Sequence, residues 1–197
     1  MFFTEQGRLY WTKVYELPEG NRQSKGRALQ NMINIQKGDK VCAFIHVKNL
    51  NDLEYVQNHY LIFATKDGLM KKTTLESYSR PRANGIIALG LREDDRLIRV
   101  TLTDGNSQML VASYNGKVVR FPEDTVRPMG RTATGVRAIK LDEDGQDRVI
   151  GMICVEEGSK ESVLVISEKG FGKRTDLDDE NGEPIYRITN RGGKGVK

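Results

Sequence analysis

The sequence predicts an all-β fold in which four related repeats each supply one propeller-like blade of four strands. A short apolar run, a glycine and a second apolar run recur in FFTEQGRLYWTK, IFATKDGLMKKT, LVASYNGKVVRF and LVISEKGFGKRT. Their glycines lie 61, 48 and 54 residues apart, and a period near 50 is typical of propellers and repeat arrays. Little of the chain carries the apolar periodicity of a helix. These first glycines are Gly7, Gly68, Gly116 and Gly170.

The same order of strands fits every repeat, and the repeats cover approximately residues 1–59, 60–108, 109–162 and 163–197. Short apolar or alternating runs bounded by turn residues indicate these strands. A possible turn of helix at Leu75–Tyr78, or at its equivalents, is the exception. The expected strands are Met1–Thr4, Leu9–Val14, Ala28–Ile35 and Lys40–Val47; Tyr60–Thr65, Leu69–Thr73, Gly85–Leu91 and Arg96–Thr103; Met109–Ser113, Lys117–Phe121, 136–141 and Arg148–Val155; and Val163–Ser167 and Phe171–Thr175.

Glycines mark two turns in each repeat. Asn115-Gly116 between apolar runs predicts a hairpin in which both turn positions take a positive φ. A second glycine follows the first by about 20 residues, which suggests a tight turn or a close approach of two backbones. These second glycines are Gly26, Gly85, Gly135 and Gly195.

Composition indicates an intracellular globular protein. The chain has two cysteines, Cys42 and Cys154, each inside an apolar run, which favours buried thiols in equivalent strands over a disulfide or zinc site. No signal peptide and no apolar run of membrane-spanning length are present, so we expect a cytoplasmic location and no membrane association. A strand-like run already begins at residue 2, and the fourth repeat stops after two strands, so we expect a piece of a longer array.

Charge is segregated within the repeat, although the formal net charge is only +4. Residues 138–169 hold eight acidic residues against four basic ones. Arginine and lysine instead recur between the paired glycines of all four repeats. The basic residues predicted to bind a polyanion are Arg8, Lys13, Arg22, Lys25, Arg27, Lys71, Lys72, Arg80, Arg82, Arg120, Arg127, Arg131, Arg137, Lys173, Arg174, Arg187, Arg191, Lys194 and Lys197.

Any one of these side chains is most simply explained as a solvated surface residue, but their recurrence favours binding to a charged polymer. Arginine and lysine contacts to phosphates position a duplex without reading its bases. Neither a zinc-finger spacing nor a recognition helix is evident. The sequence therefore predicts binding of double-stranded DNA without sequence preference.

No arrangement of residues supports catalysis. His46 and His59 lie beside or within expected strands, where packing or surface roles are the simpler reading. The run Arg191–Gly195 lacks the spacing of a phosphate-binding loop. Acidic runs at 142–144 and 178–180 adjoin turn glycines, which favours solvated loops over metal binding. We therefore expect no catalytic site, metal site or cofactor in this chain.

Four stretches together resemble the C-terminal domain of the DNA gyrase A subunit: GRLYWTKVYELPE, GLMKKTTLESYSRPRANGIIAL, GKVVRFPEDTVRPMGRTATGVRAI and GFGKRT…YRITNRGGKGVK. The resemblance covers essentially all 197 residues. It implies a six-bladed β-pinwheel that exchanges strands between blades, of which about four blades are present. It also implies DNA wrapping on a basic rim, which supports ATP-dependent negative supercoiling by a type II topoisomerase.

The same resemblance implies partners beyond DNA. They are the gyrase B subunit, in an A2B2 holoenzyme, together with the remainder of the gyrase A subunit. Other domains of that holoenzyme use ATP and Mg²⁺. A nucleoid-associated location in the cytoplasm follows.

One departure from the family pattern leaves alternatives open. The family's QRRGGKG-like box is absent, and Thr189–Gly195 resembles only its second half. Without the box, the C-terminal DNA-binding domain of topoisomerase IV fits the pattern as a close alternative. A propeller that binds proteins is the alternative of a different class. It predicts binding that is insensitive to salt and to neutralisation of Arg127 and Arg131.

Overall fold

A computed structural model describes residues 1–143 and 145–197. The strands are β1 (Phe2–Thr4), β2 (Arg8–Tyr10), β3 (Val41–Phe44), β4 (Tyr60–Thr65), β5 (Leu69–Thr74), β6 (Ile86–Ile87), β7 (Leu97–Thr103), β8 (Ser107–Ser113), β9 (Val118–Pro122), β10 (Val136–Arg137), β11 (Val149–Glu156), β12 (Ser162–Ile166) and β13 (Gly172–Asp176). A short helix, α1, covers Leu53–Asn58, and 3₁₀ turns cover Val14–Glu16, Leu29–Asn31, Leu75–Tyr78 and Glu123–Thr125.

The strands form antiparallel sheets that exchange strands between repeats. The first sheet has the order β3-β1-β2-β6, and the second has the order β10-β5-β4-β7. β6 belongs to the second repeat and β10 to the third, so each completes the sheet of the repeat before it. In the third sheet, β11-β8-β9, Val196 of the fourth repeat bridges to Val118. The pinwheel prediction is confirmed by this exchange.

The hairpin turn after the first strand of each repeat has one geometry throughout. Gly116 has a φ of 79°, and its N–H donates to Ser113 O at 3.0 Å. Gly7, Gly68 and Gly170 make the equivalent bond. The prediction that Asn115 also takes a positive φ is wrong, because Asp94 is the only described non-glycine residue that does. A turn with one left-handed glycine adds a residue to the hairpin as a bulge, so no second positive φ is needed.

The second glycine lies where an exchanged segment meets its host sheet. A Cβ atom on Gly135 would lie 2.4 Å from Met70 O, and one on Gly195 would lie 2.8 Å from Val118 O. Gly85 meets Leu9 O at 2.7 Å in the same way. The prediction of a close backbone approach is therefore confirmed at three positions. Gly26 has a positive φ but nothing within 4 Å, because no earlier sheet stands beside it within these 197 residues.

The apolar core occupies the spaces between successive sheets. Successive residues of β4 point to opposite faces, so Leu61 and Phe63 pack into one core while Ile62 and Ala64 pack into the next. In the first core the rings of Phe3 and Phe63 meet edge to face at 5.6 Å. β4 is buried on both faces, which explains its continuous apolar sequence.

Several expected strands are shorter than predicted, among them those at 85–91 and 136–141, and two segments are of another type. Residues 28–35 contain a 3₁₀ turn rather than a strand, because their equivalents β6 and β10 are held by a preceding sheet. Helix α1 was not predicted; Asp52 caps it by accepting a hydrogen bond from Tyr55 N at 3.1 Å. The 3₁₀ turn at Leu75–Tyr78 confirms the predicted helical turn. None of the helices in the described residues has the length and apolar character of a membrane span.

Candidate nucleic-acid interface

Three of the basic residues predicted to bind DNA lie inside the protein. Lys71 is 0% exposed, Lys72 is 4% exposed and Arg120 is 5% exposed. They occupy the third and fourth positions after the first glycine of their repeats, in β5 and β9. These strands are covered by the following repeat, which removes their side chains from solvent.

Lys72 forms an ion pair with the next repeat. Its Nζ lies 2.8 Å from Oε1 of Glu123, whose side chain is 0% exposed. The same carboxylate accepts hydrogen bonds from Thr103 Oγ1 at 2.6 Å and from Ser107 N at 3.3 Å. The ammonium group also stands over the ring of Tyr60 at 4.3 Å. The carboxylate of this buried pair thus has three donors around it, which helps to offset the cost of burying its charge.

Arg120 joins the third repeat to the fourth in a similar way. It donates to Leu177 O and Asp178 Oδ1, both at 3.2 Å, and its Nε donates to Gln108 Oε1 at 2.7 Å. At the equivalent position of the first repeat, Trp11 Nε1 donates to Tyr78 O of the second repeat at 3.2 Å. In each of the first three repeats, the fourth residue after the first glycine therefore bonds to the following repeat, although its type differs.

Lys71 bonds to three segments and, within the described residues, forms no ion pair with a carboxylate. Its Nζ donates to Ala88 O at 2.6 Å, to Tyr78 Oη at 3.2 Å and to Arg131 O at 2.5 Å. It also lies 4.7 Å from the centre of the Phe63 ring. Burial, and secondarily the charge of Arg131, lower the pKa of Lys71 to about 7.

The burial of Lys71, Lys72 and Arg120 corrects the predicted DNA-binding set. Their donor groups already serve acceptors inside the protein, and a phosphate outside has no path to them. We therefore assign these three residues to the junctions between repeats. No sequence pattern used above separates them from surface residues, because the periodicity places all basic residues in the same segments.

The other members of the predicted set reach the surface. Arg8, Arg131 and Arg191 are half-buried. In the described residues, none of the sixteen predicted side chains that reach the surface forms an ion pair with a carboxylate. The exposed members are Lys13, Arg22, Lys25, Arg27, Arg80, Arg82, Arg127, Arg137, Lys173, Arg174, Arg187, Lys194 and Lys197.

Many of these residues lie in what we call the basic loops, the segments 20–27, 79–85, 126–135 and 187–195 that lead to each second glycine. Each later loop lies against the second strand of the repeat before it. Met129 N donates to Lys72 O at 2.9 Å, and Thr189 N donates to Arg120 O at 2.8 Å. At the earlier junction, Arg8 donates to Asn84 O at 3.1 Å. The three later loops therefore lie at successive junctions in one repeated position.

Arginines of two basic loops share one concavity of about 560 Å³. Arg80 and Arg82 come from the second repeat and Arg131 from the third. Glu76 is the acidic residue of the lining, beside Ser77 and Ser79. The arrangement can bind an anion, since guanidinium groups match the geometry of phosphate oxygens.

The described residues contain no group of three or more His, Cys, Asp or Glu side chains arranged to hold a metal ion. Cys42 and Cys154 are half-buried free thiols in the equivalent strands β3 and β11. Burial raises the pKa of the Cys42 thiol to about 12.

Comparison with known proteins supports the fold and the repeat organisation. Solved structures with a similar chain path include one described as the C-terminal domain of DNA topoisomerase IV. It is 26% identical with a TM-score of 0.82, over 99% of this chain and 56% of that chain. A DNA gyrase A C-terminal domain gives 22% identity and a TM-score of 0.76, over 99% and 58% of the two chains.

Among full-length relatives, the DNA gyrase A subunit of Staphylococcus aureus (strain NCTC 8325 / PS 47) is 44% identical over all 197 residues. The chain spans 21% of the length of that relative. The sequence model of the family described as "DNA gyrase C-terminal domain, beta-propeller" matches four times, at residues 1–48, 59–104, 108–156 and 161–197. With one match in each structural repeat, the chain belongs to the family of DNA gyrase C-terminal domains.

Proposed function

We propose that this chain binds duplex DNA along its basic loops without sequence preference and wraps it, as the C-terminal domain of a gyrase A subunit. The observation that carries this proposal is the repeated position of the basic loops at successive junctions, with exposed arginines free of carboxylate partners. Charges at regular intervals suit a polymer that carries one phosphate charge per ~1.7 Å of its axis.

Wrapping requires many such contacts. Bending a duplex of 20–30 base pairs costs roughly 1–6 kcal/mol by elastic estimates, and phosphate contacts offset this cost. Loops contributed by several repeats distribute the contacts along the path of the DNA. A single loop could hold DNA but would not bend it.

In this proposal the chain wraps the DNA for a type II topoisomerase that uses ATP to introduce negative supercoils. Its protein partners are the B subunit, in an A2B2 assembly, together with the remainder of the A subunit. These partners supply the ATP and Mg²⁺ sites and the cleavage chemistry. The location is the cytoplasm, in association with the nucleoid.

The test is a quadruple variant, Arg80, Arg82, Arg127 and Arg131 to Ala, measured by mobility shift over a salt series. We expect weaker binding to every duplex sequence and a flatter dependence of log K on log salt, by about 0.9 for each phosphate that the variant no longer neutralises. The matched control removes equal charge elsewhere, from the exposed residues Arg92, Arg96, Arg99 and Lys140. Equal weakening in both variants would mean that net charge, not the basic loops, drives binding.

Topoisomerase IV remains a second candidate because its C-terminal domain gives a TM-score of 0.82. A gyrase A subunit in which this chain replaces the matching residues of its own C-terminal domain separates the two. Negative supercoiling of relaxed plasmid supports the gyrase assignment, and relaxation without supercoiling supports topoisomerase IV. Binding to protein that resists both salt and the quadruple variant would instead support the protein-interaction alternative.

A further inference from the structure

Arg131 faces the protein and the surface with different groups. Its backbone carbonyl accepts a hydrogen bond from buried Lys71, while its side chain lines the concavity shared with Arg80 and Arg82. Its Nε is shielded from solvent and has no hydrogen-bond partner among the described residues. A shielded donor without an acceptor is costly, and the attraction between a nearby anion and the whole guanidinium group would offset that cost.

The charged side chains that line the concavity are mainly positive. Three guanidinium groups face the single carboxylate of Glu76. Like charges held together raise the free energy of the empty site, and an entering anion lowers it. Pro81, between Arg80 and Arg82, fixes its own φ and keeps the preceding residue extended. The two arginines are therefore presented by a stiff segment, which reduces the entropy cost of binding.

We propose that Arg80, Arg82 and Arg131 form one composite phosphate-binding subsite across the junction of the second and third repeats, with buried Lys71 as its positioning residue. The inference rests on the proposed DNA-binding function and deepens it. The ligand is a backbone phosphate of duplex DNA, held by arginines of two repeats at once. The bent path of the DNA then depends on the spacing of the two repeats.

Lys71 acts by fixing the backbone of the loop that carries Arg131. Protonated, it has three hydrogens for three acceptors: Ala88 O, Tyr78 Oη and Arg131 O. Loss of one proton leaves two hydrogens, so one acceptor is released. The titratable and charged groups that face its ammonium group are Tyr78, whose pKa is raised by burial, and Arg131, whose charge lowers the pKa of Lys71. Lys71 is thus the group that changes charge in this cluster near neutral pH.

A double-mutant cycle of Arg82→Gln and Arg131→Gln, read as the salt dependence of binding to a 30-base-pair duplex, tests the shared site. If both arginines hold one phosphate, either variant lowers the slope by about 0.9, and the double variant also lowers it by about 0.9 rather than by ~1.8. Arg127→Gln is the matched control: it lies in the same loop but outside the lining, so its effect should add to that of Arg82→Gln. Additive effects of Arg82→Gln and Arg131→Gln would overturn the composite subsite.

Inorganic phosphate, compared with chloride at equal ionic strength, separates a phosphate site from general screening. It should weaken DNA binding by the wild type more than by the Arg82→Gln/Arg131→Gln variant. Equal weakening of both proteins would refute a phosphate-specific site. A wild type that fails to bind duplex DNA at any salt concentration refutes the proposed function itself, which keeps the two failures distinct.

The positioning role is tested with Lys71→Met and the pH profile of DNA affinity from pH 6 to 8.5. The wild type should lose roughly tenfold in affinity as Lys71 deprotonates, while Lys71→Met binds weakly at all pH values with a flatter profile. Both proteins keep His46 and His59, so the difference between their two profiles isolates Lys71. A folded Lys71→Met protein with the wild-type profile would exclude the positioning role.

Discussion

The fourth position after the first glycine has opposite surroundings in the middle of the repeat array and in its last repeat. Lys72 and Arg120 are buried there and bonded to the next repeat, whereas Arg174 at the same position is exposed. The local strand is similar in each case. What differs is whether the described residues include a following repeat. A neighbour, rather than the residue type, therefore decides whether a basic side chain at this position stabilises the fold or faces solvent.

The largest expected effect comes from removing the carboxylate that compensates a buried charge. Glu123→Ala leaves the Lys72 ammonium group without its partner in a site closed to water, so unfolding should become easier by about 3–5 kcal/mol. Urea denaturation followed by circular dichroism measures this, with the midpoint shifted and the slope unchanged. The control Asp124→Ala removes an exposed carboxylate from the same 3₁₀ turn and should change stability by less than about 0.5 kcal/mol.

Two second glycines provide the next comparison. Gly135→Ala must place a Cβ atom 2.4 Å from Met70 O, and its φ of 105° is already unfavourable for alanine. The steric and backbone costs together should reach about 3 kcal/mol. Gly26→Ala meets only the backbone cost, since nothing lies within 4 Å, and should lose about 1 kcal/mol. Equal thermal unfolding temperatures for the two variants would show that the close approach is not tight in solution.

The third comparison is between Arg120 and Arg174, whose substitutions should affect different properties. Arg120→Ala leaves Leu177 O and Gln108 Oε1 short of a donor and should destabilise the fold by about 2 kcal/mol. Arg174→Ala should leave the unfolding transition in place and instead lower the salt slope of DNA binding. Chemical denaturation and a mobility-shift salt series on both variants check this. A stable Arg120→Ala protein with weakened DNA binding would return Arg120 to the DNA-contacting set.

Sequence reasoning predicted the strands that are specified by their own residues. Tyr60–Thr65 was expected as a strand and is β4, because its apolar run fills two cores. Sequence reasoning failed where another repeat supplies the pairing partner of a strand. The expected strand at 85–91 contains only Ile86–Ile87, and its pairing partner is β2 of another repeat. Helix α1 depends on the cap at Asp52 and carries too little apolar periodicity to be recognised.

The surface position of the predicted basic residues was predictable in the loops and not in the strands. Arg80, Arg82 and Arg131 were predicted from their proline and glycine context, which keeps loops at the surface. Lys71 and Lys72 were misplaced because two adjacent lysines normally indicate an exposed face. Their burial depends on Glu123 and the carbonyl of Arg131, which lie about 50 to 60 residues later and come close only in the folded array.

The smallest expected effect is the pH dependence that Lys71 gives to stability. Its pKa of about 7 in the folded protein lies below the ordinary lysine value, which the unfolded chain retains. Below pH 7 both states hold the proton, and the full cost of burying the charge is present. Above it the unfolded state binds more protons than the folded state, so the free energy of unfolding rises with pH.

Between pH 7 and 8 this rise should contribute about 1 kcal/mol in the wild type and be absent from Lys71→Met. Denaturant midpoints for both proteins over this range measure it, with Lys169→Met as the exposed-lysine control. Parallel pH profiles for wild type and Lys71→Met would mean that the carbonyl oxygens of Ala88 and Arg131 keep Lys71 charged. The lysine would then hold the Arg131 loop at all physiological pH values, and the junction of the second and third repeats would not respond to protonation.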